Sequence, residues 1–208
     1  MKTKNLTLFA FFLAIELILL FTPLGFLRIG PLSATLMHIP VIIIAITMGR
    51  KYGCALGLIF GLCSIWSATF TPGITSFCFS PFITVGNVSG NFASIIIALV
   101  PRVLIGYCAA SVYTFGKKHS HSESISVIVG ALSGALTNTV LVLGLITVFF
   151  GHEYASALSI PYHTLISVLL GVVFTNGIAE AVIGCIVTWM VYKALKPILK
   201  NTERVQAH

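Results

Sequence analysis

Apolar residues in this chain are gathered into six long stretches, running roughly Leu6–Phe26, Ala34–Met48, Tyr52–Phe70, Phe92–Phe115, Ile125–Phe150 and Thr164–Tyr192, with short polar or Gly/Pro-containing breaks between them. A membrane-spanning helix needs about 20 mostly apolar residues, so each stretch reads as one span, the second short and the sixth long. Backbone amides in hydrocarbon must find partners within their own segment. No alternating pattern suggestive of a barrel is present, so helices are required. Six spans use well over half of the 208 residues. The expected fold class is therefore an all-α membrane protein, with residues 1–208 forming a single six-helix transmembrane domain.

Composition agrees with that pattern and charge orients it. The chain is 57% apolar and 8% charged and has no Asp, too little polar surface to cover a soluble globule. With both termini in the cytoplasm, ten of the twelve basic residues (Lys2, Lys4, Arg50, Lys51, Lys117, Lys118, Lys193, Lys196, Lys200 and Arg204) fall inside; Arg28 lies in an external loop and Arg102 within a span. The net charge of +7 is thus an orientation signal, sufficient also for attraction to anionic inner-leaflet lipid, and gives no reason to expect a nucleic-acid partner. The basic start of the first stretch resembles a signal peptide, but its apolar run is long and it is retained as a span. Cys54, Cys63, Cys78, Cys108 and Cys185 are scattered without metal-ligand spacing and read as packing residues. His119 and His121, in the internal loop Gly116–Ser124, lack a third ligand nearby and read as polar loop, with no metal expected. The other internal connection, Gly49–Lys51, is a short turn.

The external loops differ in character. Thr22–Leu36 contains Pro23, Gly25, Arg28, Gly30 and Pro31, while Thr71–Asn91 carries Phe77, Phe79 and Phe82 and not one charge. A loop of that composition either folds back as a lid over the protein or anchors at the bilayer surface, and the sequence leaves both open.

Polar side chains inside spans are costly and therefore informative. Counted from the outer span ends at about 1.5 Å per residue, Arg102, Asn138 and Asn176 share one layer near mid-membrane, and Glu180 is one turn deeper. A guanidinium fork suits a carboxylate, and Asn amides suit amides and hydroxyls, so the set fits a small, hydroxylated, amide-containing anion. An Arg102–Glu180 ion pair fastening two helices is the competing reading. Pro101 favours a cavity, because it bends the fourth span and frees a carbonyl. Trp66, Thr69 and Phe70 end the third span at its outer mouth and with Phe79 make an aromatic rim; Trp66 reads equally as an interfacial anchor. Asn91, closing the second external loop, is counted with the binding residues. Glu16 needs a partner inside the first span, for which His38, beside Pro40, is a candidate. Ala10 and Ala14, four apart, form a small-residue face on the first helix, as do Gly53, Gly57 and Gly61 on the third.

Some classes are disfavoured. There is no phosphate-binding loop, so ATP would have to be used elsewhere. Gly130-Ala131-Leu132-Ser133-Gly134 is one residue too long for a rhomboid-type nucleophile turn and His163 is near the outer surface, which makes an intramembrane hydrolase a remote alternative. The chain also lacks the paired inverted halves of a secondary transporter. A ligand-free structural membrane protein remains a further alternative.

Six spans in about two hundred residues, Ala10-x-x-x-Ala14, the stretch HIPVIIIAITMGRKYGCALGLIFGLCSIWSATFTP (His38–Pro72), SFCFSPF (Ser76–Phe82) and ALVPRVLIG (Ala98–Gly106) together resemble the substrate-binding S components of energy-coupling factor (ECF) vitamin transporters. Within that family the segments look most like pantothenate-specific members. The resemblance implies a non-enzymatic, multi-pass subunit of a bacterial plasma membrane, without a cofactor of its own. It implies a transmembrane T component and two cytoplasmic ATPases as partners, docking of the T component on Ala10 and Ala14, and delivery of substrate by tipping of the whole subunit in the membrane. S components for riboflavin, a thiamine precursor, folate or pyridoxine are the nearest alternatives; a flat ring would stack on Trp66, Phe70 and Phe79 with less need for Arg102.

Overall fold

A computed structural model describes residues 3–23, 25–29, 32–119 and 122–205, with backbone alone described at residues 3–4, 27–29, 32–34 and 198–205. Lys2, Gly30, Pro31 and His121 therefore lie outside the described residues, as do the side chains of Lys4, Arg28, Lys200 and Arg204. Along the chain come α1 (Thr3–Leu20), the strands β1 (Phe26–Ile29) and β2 (Leu32–Thr35), α2 (His38–Met48), α3 (Arg50–Phe70), the short strands β3 (Thr84–Val85) and β4 (Val88–Ser89), α4 (Phe92–His119), α5 (Glu123–Ala157), α6 (Leu165–Val172) and α7 (Ile178–Val205). A π-helical turn at Val173–Gly177 joins α6 to α7. Each of the six expected spans contains helix, and among the described residues four (Arg50–Phe70, Phe92–His119, Glu123–Ala157 and Tyr162–Pro197) are long and apolar enough to cross a membrane by themselves.

The first two spans are shorter than their apolar stretches. The helix expected to reach Phe26 stops at Leu20, and the one expected from Ala34 starts at His38. Pro23 disfavours helix in the residue before it, and the Thr22 hydroxyl donates to the Leu19 carbonyl (3.2 Å), satisfying a terminal acceptor. β1 and β2 then pair antiparallel, Phe26 opposite Thr35 and Ile29 opposite Leu32. The short α2 has a different reason: His38 through Ile46 are all buried. A helix apolar around its whole circumference is enclosed by protein, so its length need not match the bilayer. Around α2 lies the main core, with Phe12 of α1, Leu56 and Phe60 of α3, Ile105 and Ala109 of α4, and Val127 and Ala131 of α5.

The packing of α3 on α4 brings backbone against backbone. A Cβ on Gly57 would stand 2.2 Å from the Arg102 carbonyl oxygen, and one on Gly106 would stand 2.2 Å from the Gly53 carbonyl carbon. The small-residue face of the third span is therefore an internal contact, made by van der Waals packing where no side chain can intervene. At the basic end, the Tyr113 and Tyr192 hydroxyls are 2.8 Å apart, Tyr192 donates to Glu123, and Glu123 pairs with Lys196, tying α4, α5 and α7 together. α5 kinks at Phe150 (φ −134°, ψ 20°), where the apolar stretch was expected to end, and beyond the kink Tyr154 and Ala155 are buried in a cluster with Phe77 and Cys78.

Gly57→Leu should cost about 1–3 kcal/mol or prevent folding, whereas Gly144→Leu, with nothing within 4 Å of its Cβ position, should be tolerated. Thermal unfolding of the detergent-purified variants checks this; equal melting temperatures would remove the close α3–α4 approach from the forces holding the fold.

Candidate substrate-binding site

Pro101 has no N–H, so the Ile97 carbonyl, four residues earlier, lacks its helical donor. Arg102 supplies one: its Nη1 donates to Ile97 O at 2.9 Å. The side chain is thereby folded back along its own helix, 4% exposed, with its guanidinium carbon 5.2 Å from the centre of the Phe60 ring and 5.1 Å from that of Phe79. Two aromatic faces thus hold a charge that a carbonyl fixes from one side. Among the described residues Arg102 Nε has no partner and the guanidinium makes no ion pair. The helix-fastening Arg102–Glu180 bridge is thus not formed. Glu180 Oε1 instead accepts the Thr35 N–H (3.0 Å), joining the end of the first hairpin to α7.

Arg102 and Glu180 nonetheless line one cavity, with Thr35, Phe79, Asn138, Thr139, Val142, Leu143, Val172, Asn176 and Gly177. Asn138 is 6% exposed and, among the described residues, its Oδ1 has no partner. Asn176 sits in the π-helical turn, where the extra residue per turn shifts the facing of neighbouring side chains. The layer of Arg102, Asn138 and Asn176 inferred from span depth is thus brought together around a common space. That space is about 60 Å³, room for a few waters only.

Phe79 reaches the cavity because the Thr71–Asn91 loop folds back over the bundle. Phe77 is buried edge-on against Phe150 (5.6 Å between centroids), the Ser94 hydroxyl donates to the Phe77 carbonyl (2.6 Å), and the hydroxyls of Thr69 and Ser80 are 2.7 Å apart. Of the three loop phenylalanines only Phe82 is turned outward, 78% exposed. The lid arrangement, rather than the bilayer anchor, describes this loop.

Three of the expected binding residues are elsewhere. Trp66 and Phe70 are 50% and 63% exposed and stack on each other at 4.1 Å. The inward face of α3 is set by Phe60, Ser64 and Ala68, and a residue two positions on points about 200° away around the helix. Asn91 caps α4: its Oδ1 accepts the Ala93 N–H (2.8 Å), and its own N–H donates to Ser94 Oγ (3.1 Å). Glu16 and His38 are both fully buried, but no hydrogen bond joins them, and the His38 ring packs on Gly184 of α7. Ala10 and Ala14 are exposed on α1, beside exposed Phe11, Leu17 and Ile18. Thr35 and Thr139 were missed as lining residues; Thr139 carried a signal in its adjacency to Asn138, whereas Thr35 lay in what read as a helix end.

A bundle of helices in lipid, enclosing a polar cavity under a folded loop, defines a membrane-embedded small-molecule binding protein. The model of the family described as "ECF transporter, substrate-specific component" matches residues 4–192, and the chain belongs to that family. It is a multi-pass protein of the bacterial cell membrane. It is similar to the pantothenic acid transporter PanT of Lactococcus lactis subsp. cremoris, at 35% identity over 97% of this chain and 98% of the relative. It is also similar to the pantothenate transporter PanT of Leuconostoc mesenteroides subsp. mesenteroides, at 30% identity over 96% of each.

Phe79→Ala should remove one face of the guanidinium sandwich, worth about 0.5–2 kcal/mol, and raise amide hydrogen exchange across residues 76–90 while leaving α3 and α4 protected. Exchange identical to the parent protein would show that the ring does not hold the loop down.

Proposed function

We propose that this chain binds pantothenate in the Arg102 cavity and serves as the substrate-binding subunit of an ECF-type importer. The observation that carries this reading is the chemistry of one buried site: a guanidinium held only by a carbonyl and two rings, two Asn side chains and a carboxylate around the same space. Pantothenate has matching groups. Its carboxylate would take the remaining Arg102 donors, its amide would pair with Asn138 and Asn176, and a hydroxyl would donate to Glu180. Both relatives named above carry pantothenate or pantothenic acid in their names, which supports the same substrate.

Ligand pockets ordinarily measure about 300–1,000 Å³, several times the space here. Binding therefore requires the cavity to widen, and Phe79 on its loop and Thr35 at the end of its hairpin are the lining residues from connecting segments that would move. Closing again over a bound ligand would exclude water and strengthen each polar contact.

Energy for uptake would come from partners: a transmembrane T component and two ATPases that hydrolyse ATP in the cytoplasm. The exposed Ala10 and Ala14 give the T component a place where helices can approach closely, and the subunit would tip in the membrane to carry the site between faces.

Calorimetric titration of the purified chain tests the substrate. Pantothenate should bind, riboflavin, folate, thiamine and pyridoxine should not, and Arg102→Ala should weaken binding by at least about 100-fold, since a charge-assisted bidentate contact is worth about 1.5–3 kcal/mol and its loss strands a carboxylate. Unchanged affinity in that variant would discard the pocket, and binding of a different vitamin would discard the substrate. For docking, Ala10→Trp and Ala14→Trp should abolish co-purification with the T component and ATPases while leaving pantothenate binding intact; an intact complex with both variants would move the interface elsewhere.

A further inference from the structure

The sixth span is the least enclosed of the four long ones: 11% of its most apolar window is buried, against 44% in α3, α4 and α5. It meets α5 where the Cys185 thiol donates to the Ile128 carbonyl (3.7 Å), but the two helices do not close along their whole length. A groove of about 540 Å³ remains, walled on one side by Ile128, Leu132 and Leu136 of α5 and on the other by Val182, Ile186 and Trp189 of α7, with Ala181 at its base. Almost every lining atom is apolar, and the Thr139 hydroxyl is turned to the Ala135 carbonyl of its own helix. On α5 the groove runs from Ile128 to Thr139, about 16 Å at 1.5 Å per residue. That is about one leaflet of a hydrocarbon core roughly 30 Å thick.

One end of the groove is charged. Trp189 closes it, and the Lys193 ammonium lies over the indole ring at 4.3 Å. Its neighbour Lys196 is neutralised by Glu123, but among the described residues Lys193 has no acidic partner. This is the basic end of the molecule, which the positive-inside rule puts at the cytoplasmic leaflet. An apolar channel one leaflet long, ending at an uncompensated cation at headgroup level beside an interfacial tryptophan, has the charge and dimensions of a bound anionic phospholipid.

We propose that the α5–α7 groove is a binding site for one acyl chain of a cytoplasmic-leaflet phospholipid whose anionic headgroup contacts Lys193. The chain end lies against Thr139 and Gly177, which also line the polar cavity on their other side. The groove is therefore the lipid-side backing of that cavity wall, and its occupant supplies the packing atoms that α7 alone does not.

The chain has two tryptophans, Trp66 and Trp189, so Trp66→Phe leaves Trp189 as the sole indole reporter. Delipidated protein in detergent is titrated with phosphatidylglycerol, or with phosphatidylcholine, brominated midway along the acyl chain. Trp189 fluorescence should be quenched saturably by phosphatidylglycerol at about one lipid per chain. Lys193→Gln should raise the phosphatidylglycerol needed about five-fold and remove its advantage over phosphatidylcholine, as loss of one lysine–headgroup attraction requires. Ala181→Leu should abolish saturable quenching by filling the groove from α7, and Leu132→Phe should do the same from α5; two variants from opposite walls guard against misfolding of either. Non-saturating quenching, equal for both lipids and indifferent to the filling substitutions, would reduce the groove to ordinary lipid contact. A dimer in which Trp189 is shielded from both lipids would assign it to a second copy of the chain. Either result overturns the proposal.

Discussion

The approach of α3 to α4 at backbone distance is the constraint on which the rest of the structure depends. Gly57 faces the peptide carbonyl of Arg102 itself, so the same contact that locks the two helices also fixes the depth of the cation. It places Phe60, three residues along α3, over the guanidinium. It also draws α3 and α4 tightly enough together to wall in α2. A side chain at Gly57 would act on all three at once, which is why small residues in membrane helices matter more for geometry than for any energy of their own.

Within that frame the site solves an electrostatic problem locally. A charged side chain at mid-membrane depth is costly, and pairing it with a carboxylate would consume the charge. Pro101 offers another route by leaving the Ile97 carbonyl without its usual donor, so one neighbouring residue creates the acceptor that the next one uses. Aromatic faces do the rest. The guanidinium is held in place and desolvated, yet Nε and the second terminal nitrogen are not committed to any acidic group. Glu180, the carboxylate lining the same cavity, is engaged with the backbone of the hairpin.

How much of this could be read from the chain depends on what each feature costs in lipid. The spans and the grouping of Arg102, Asn138 and Asn176 around one space were legible because apolar length and intramembrane polarity are severe requirements that leave a mark in the sequence. Pro101 beside Arg102 was legible for the same reason. The first hairpin was not: four-residue strands in a Pro- and Gly-containing loop carry too little periodicity to separate from the frayed ends of two helices. The helical facing of Trp66 and Phe70 was not legible either, since an aromatic at an outer helix end serves a pocket or the bilayer interface equally well until the neighbours of Phe60 and Ser64 are known. Asn91 was read for its amide when its position, two residues before Ala93 in the first turn of α4, made it a cap. The π-helical turn left no sequence signature, although it decides where Asn176 is presented.

The buried α2 bears on how the protein is made. Eleven residues long and enclosed on every side, this helix is too short to sit comfortably across a bilayer by itself, and its apolar surface matches protein rather than lipid. During synthesis it emerges before α3, α4 and α5, the helices that will surround it. Its burial is complete only once those later helices have packed around it. The innermost element is thus among the first made, and its surroundings are supplied largely by chain that follows it.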